Sequence, residues 1–144
     1  MSTKRQDILA RIKTDIEAIT DDSDNTVFKF VDITKIPPTS LDVVPFPSCF
    51  IYSDRETRLE DDRAVIGREN WEWYVILEVW ALDKDMEELL EYLHEKLFSD
   101  YTLNSLASYC ERMGVDFFTI EPTRRLESMV IPYRILYRHT QGDM

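Results

Sequence analysis

Few residue types in this chain could do chemistry. They are two histidines, His94 and His139, two cysteines, Cys49 and Cys110, and a surplus of carboxylates. A zinc site needs His and Cys at ligand spacing, but the two histidines are far apart and neither HExxH nor CxxC occurs. Asp83-x-Asp85 and Glu60-Asp61-Asp62 offer the hard oxygens a Ca2+ or Mg2+ ion takes, yet neither lies in a glycine-containing ligand loop. A helix cap and a solvated hairpin account for them. Cys49 stands between Ser48 and Phe50 in an apolar run, where a thiol is usually an inert small hydrophobe. Cys110 has Glu111 and Arg112 beside it and no assignable histidine, and Ser105 and Ser108 lack a nucleophile elbow. With 28 Asp and Glu, paired carboxylates arise without any acid–base role. Three glycines leave almost no room for a phosphate-cradling loop. The expectation is a non-enzymatic protein with no metal and no cofactor.

Charge narrows the partners. Lys and Arg number 17 against 28 acids, for a net charge of −11. Sequence-specific or broad nucleic-acid binding needs a cationic face, and so does adhesion to an anionic membrane. No apolar run is long enough to span a bilayer; the most apolar, Tyr74 to Leu82, contains Glu78. No secretory leader or lipidation motif is read at the termini, and two cysteines make no disulfide framework, which points to a reducing interior. Against this catalytic poverty stand 17 aromatic residues, with Trp71, Trp73, Tyr74 and Trp80 close together. Such rings fill cores, and with arginine they anchor protein interfaces.

The elements that must position these groups follow from periodicity. Ile8, Leu9, Ile12, Ile16 and Ile19 make one helical stripe, so a helix is predicted over Thr3–Ile19, with Thr3 and Gln6 as its capping box. Thr26–Ile33 reads as a strand with Val27, Lys29, Val31 and Ile33 on one face and Phe28 and Phe30 on the other. A proline-containing connection leads to a strand over Phe46–Ser53. Asp54–Asn70 reads as a polar, mobile link that carries Arg55, Arg58, Arg63 and Arg68 among its acids. Trp71–Leu82 alternates two largely apolar faces and is predicted to be a central strand. Asp85 and Glu88 open a helix to about Phe98, apolar at Met86, Leu89, Leu90, Leu93 and Leu97, and wet at Glu87, Glu88, Glu91 and Glu95. Residues 103–113 fit either a helix or a strand that runs on through Val115–Ile120, with Gly114 a cap in the first case and a bulge in the second. Met129–Arg138 is the last strand, and Pro132 within it points to an edge or a bulge. The fold class is α+β: one domain over residues 1–144, a mostly antiparallel sheet with two or three helices on one face.

This layout resembles the tail terminator proteins of long-tailed bacteriophages. The likeness lies in the N-terminal amphipathic helix and Phe46-Pro47-Ser48-Cys49-Phe50-Ile51-Tyr52 leading into an acidic, hairpin-like insertion. It continues in Trp71-Glu72-Trp73-Tyr74-Val75-Ile76-Leu77-Glu78-Val79-Trp80, the helix after Asp85, and the closing Tyr133-Arg134-Ile135-Leu136-Tyr137. The proline-containing segment from Ile36 to Pro47 departs from it. The resemblance implies a homo-hexameric ring at the head-proximal end of the tail tube. Its partners would be the tail tube protein, a head-completion or neck protein and, in contractile tails, the sheath. It implies a virion protein assembled in the host cytoplasm, with DNA passing through an acidic lumen. Competing readings are another neck or baseplate component, and a small ligand-binding or hydrolytic domain.

A closed ring needs two unlike patches on each subunit. The candidates are the link, with Arg55, Arg58, Glu60, Asp61, Asp62, Arg63 and Arg68, and the acidic helix face of Glu87, Glu88, Glu91 and Glu95. Arg134 and Arg138 join them, because their parity puts both on the face of the last strand opposite Tyr133 and Tyr137.

Overall fold

The computed structural model describes residues 4–35, 45–59, 68–82, 84–97, 109–123 and 125–140, with 56–59, 68–70, 109 and 138–140 by their backbone alone. In chain order the elements are α1 (Lys4–Glu17), β1 (Phe30–Ile33), β2 (Ser48–Leu59), β3 (Arg68–Leu82), α2 (Met86–Leu97), β4 (Tyr109–Arg112), β5 (Asp116–Glu121) and β6 (Leu126–Thr140). They form one α+β domain around a six-stranded sheet ordered β1-β2-β3-β6-β4, with β5 also on β6. All pairs are antiparallel except β1 with β2.

Alternation along the strands decides which side is buried. Trp73, Val75, Leu77, Val79 and Ala81 of β3 share a face with Met129, Ile131, Tyr133, Ile135 and Tyr137 of β6. That face merges with Ile8, Ile12 and Ile16 of α1 and with Leu89, Leu93 and Leu97 of α2 in one buried cluster. The helical stripes read from the sequence are therefore the surfaces that meet the sheet. Helix α2 starts where Asp85 Oδ1 accepts the Glu87 N–H at 3.0 Å, and its first-turn Glu87 and Glu88 and last-turn His94 and Lys96 suit the helix dipole. The Thr3 half of the capping box predicted for α1 lies outside the described residues.

Three expectations change, and one open alternative is decided. Residues 26–29 are not strand, because the chain is still closing a turn there. Asp21 Oδ1 accepts the Ser23 and Asn25 N–H groups, each at 2.9 Å, and Thr20 bridges to Thr26. Phe28 is consequently buried with Val31, not on the opposite side. The polar link is also largely strand. β2 runs on to Leu59 and β3 begins at Arg68, paired from Ser53↔Val75 to Leu59↔Asn70 with an irregularity between Ser53 and Arg55. Backbone pairing holds this arm despite its polar side chains, which is what composition alone cannot show.

The third change and the open alternative share one cause. Of the segment read as helix or strand, 103–108 lie outside the described residues and Tyr109–Arg112 is strand; β4 and β5 lie end to end along the outer side of β6, with the register moving by one residue between them. The step falls at Gly114, whose φ is +148°. Pro132 lies opposite the step: its carbonyl accepts the Met113 N–H at 2.9 Å, but it has no N–H to return. So Pro132 sits inside an interior strand, and it is the outer neighbour that bulges.

Leu93, with no exposed surface, anchors α2, and Leu93→Ala should cost about 2–5 kcal/mol in urea unfolding. At Gly114 an added Cβ meets nothing within 4 Å, so Gly114→Ala isolates the backbone term and should cost roughly 1–3 kcal/mol. An unchanged urea midpoint for the glycine variant would contradict the bulge.

Candidate interaction surface

The two cysteine thiols are sealed into the fold. Cys49 and Cys110 are both buried, and loss of hydration pushes the Cys110 thiol up to about 12 and raises Cys49 as well. Among the described residues, no three of His, Cys, Asp and Glu are grouped so as to hold a metal ion. No described helix is long and apolar enough to cross a membrane.

The other face of the sheet carries the polar organisation. Strand register places Phe50 beside Glu78 and Val130, and Tyr52 beside Ile76 and Pro132. Phe50, Tyr52, Ile76 and Glu78 are all buried, yet they stand apart from the cluster the helices share. Glu78 is the anchor here. Its Oε1 accepts the Tyr52 hydroxyl at 3.0 Å and its Oε2 accepts the Trp80 indole N–H at 2.7 Å, so both oxygens are engaged. Burial, then the Glu78 charge, raises the Tyr52 phenol.

One cross-strand row further along, Arg55, Tyr74, Arg134 and Glu111 follow one another across β2, β3, β6 and β4. The Arg55 guanidinium stacks 4.7 Å from the centre of the Tyr74 ring. Arg134 donates from Nε to Glu72 at 2.8 Å and from Nη1 to Glu111 at 3.1 Å. The Arg134 hydrogen bond holds the Glu72 carboxyl below its ordinary range, and its two acids hold Arg134 above its own.

The sequence candidates sort against this geometry. Arg55 and Arg134 share the row just described; Arg134 is half-buried opposite Tyr133 and Tyr137 and is engaged with two acids of its own chain. Arg58 and Arg68 lie in the arm, at backbone positions opposite Trp71 and Thr140, and Arg138 lies opposite Asn70. Glu60, Asp61, Asp62 and Arg63 lie outside the described residues. Glu87, Glu88, Glu91 and Glu95 are exposed on α2, across the sheet from the arginine row. Sequence reasoning did not find Glu72, Glu78 or Glu111. Only Glu78 leaves a signal, as a lone carboxylate inside an apolar strand; the other two depend on register.

Two predictions follow from these contacts. Glu78→Ala leaves the Tyr52 and Trp80 donors without their acceptor and should cost about 1–3 kcal/mol in thermal or urea unfolding. The Arg134 cluster should be pH-dependent. Because the folded Glu72 carboxyl is depressed, its contribution is present above the ordinary carboxylate range and is lost as pH falls through the folded value. Wild type should exceed Arg134→Met by about 1 kcal/mol at neutral pH, and the gap should shrink below roughly pH 4. A gap that is constant with pH would contradict the pairing.

No protein-family model matches the chain, and no curated protein matches it in sequence.

Proposed function

We propose that this chain is a non-enzymatic structural protein of a bacteriophage virion. It forms a ring on the head-proximal end of the tail tube, stops tube polymerisation and presents the docking surface for the head or neck. The observation that carries the reading is that one sheet separates two unlike surfaces. Exposed Glu87, Glu88, Glu91 and Glu95 lie on the helix side, and the aromatic face with Arg55 and Arg134 lies on the other. A ring placed between a tube and a neck needs this inequality, because each of its faces meets a different partner.

The arm of β2 and β3 adds to it. Its outer pairs, from Thr57↔Glu72 to Leu59↔Asn70, continue past Trp73, where the helix-covered cluster ends on β3 apart from the partly buried Trp71. A strand ribbon extended beyond its own core suits contact with a neighbouring ring. The net charge of −11 suits a passage for DNA, since it repels phosphate along the lumen. The partners are then copies of itself, the tail tube protein, a head-completion or neck protein and, in contractile tails, the sheath protein; the place of action is the virion tail, assembled in the host cytoplasm.

Light scattering with sedimentation tests the ring. Six copies of a 17.1 kDa chain should give a particle of roughly 100 kDa that co-sediments with purified tail tubes and blocks their further growth. A monomer that ignores tubes would sink the reading. Duplex DNA should show negligible affinity above roughly 0.1 M salt, where screening falls to about 10 Å. Micromolar binding at that ionic strength would restore a nucleic-acid role.

A further inference from the structure

The sheet ends in two edges whose outer sides pair with nothing among the described residues: β1 at one end, and β4 followed by β5 along the other. Every residue of β5 from Asp116 to Ile120 is exposed, with Phe117, Phe118 and Ile120 at 46%, 49% and 47%. Natural edge strands are blunted with lysine, proline or an inward charge; β5 has none of these between its terminal acids. On β1 the exposed apolar residue is Ile33, at 38%.

We infer that β5 of one copy pairs antiparallel with β1 of the next, joining subunits head to tail into one continuous sheet. Strand directions allow it. β1 runs with β2, and β2, β3, β6 and β5 then alternate, so β5 runs against β1. A second copy set beside the first along the sheet brings its β1 antiparallel to β5 and keeps the helices of both copies on one side.

Charge supports the same partner. β1 is flanked by exposed Lys29 and Lys35, with Asp32 between them, whereas β5 is bounded by Asp116 and Glu121 and carries no base. One register satisfies faces and charges together. Ile33 opposite Phe117 and Val31 opposite Thr119 match helix-side with helix-side, Asp32 opposite Phe118 matches outer with outer, and Lys35 falls next to the position facing Asp116; Lys29 then lies towards Glu121, beyond the irregularity between Thr119 and Glu121. A shift of two residues one way sets Asp32 against Asp116; the other way carries Lys35 past Asp116 to face Phe117. This pairing goes beyond the ring reading and rests on it only for closure.

Paired cysteines test it in the full-length chain. Opposed residues in an antiparallel pair have Cα atoms about 4.5–5.5 Å apart, within the roughly 4.4–6.8 Å a disulfide spans. Ile33→Cys with Phe117→Cys in one chain should give, under mild oxidation, covalent multimers that reducing agent dissolves. Either substitution alone should give none, since unlike edges meet. Ile33→Lys alone and Phe117→Glu alone should each shift the sedimenting species to monomer, and the two together in one chain should restore the oligomer. An oligomer that neither single charge disturbs would overturn the edge pairing and leave the ring reading standing. Cross-linking of a single-cysteine variant would also overturn it, by showing identical edges in contact. Edge-dependent multimers that form open filaments would support the pairing and sink the closed ring. A monomer at all concentrations would overturn both.

Discussion

Everything in this fold leans on one ladder, the antiparallel pairing of β3 with β6 over fifteen residues each. Because the register is unbroken from Arg68↔Thr140 to Leu82↔Leu126, the face of every residue along both strands is fixed at once. A slip of β6 by one residue would turn Ile131, Tyr133 and Ile135 out of the core and bring Arg134 into it. The helices need only supply an apolar stripe to the face this ladder defines, and both do.

The outer face shows how polar groups are tolerated on a largely apolar sheet. Glu78 is buried because Tyr52 and Trp80 replace the water on its two oxygens. Arg134, less deeply placed, is held by two carboxylates from the strands on either side of its own, Glu72 on β3 and Glu111 on β4. These contacts tie β2, β3, β6 and β4 together through side chains as well as through the backbone. Arg55 and Arg134 are thereby held in place by a ring and by acids, so the face they share is a shaped surface and not a diffuse positive charge.

Period carried most of the fold into the sequence. Stripes such as Ile8-Ile12-Ile16 and Leu89-Leu93-Leu97, and the double apolar alternation of Trp71–Leu82, are local patterns, and each element they imply is present. What failed to show was set by distant partners. Composition made 54–70 look like a loop, whereas a long β-ladder organises much of it. Pro132 pointed to an edge or a bulge, and nothing local reveals that the strand is interior and that the break falls on its neighbour. The candidate surface was legible in its helical half, where Glu87, Glu88, Glu91 and Glu95 are exposed as read, and in the face of Arg134, but which residues join Arg55 and Arg134 in one row needed cross-strand register, and the openness of β5 needed to be seen in three dimensions.

The same central ladder dictates how the chain can reach its native state. β2 and β3 are close neighbours in sequence, so their hairpin closes a short loop. β6 can join only after α2 and both outer strands have been synthesised and the long intervening segment has been brought round. Docking of β6 closes the longer of these chain segments, and without it one edge of β3 is unpaired. On that topology, amide protection in the β2–β3 hairpin is expected to precede protection in β6, with aggregation during refolding competing with the docking of β6.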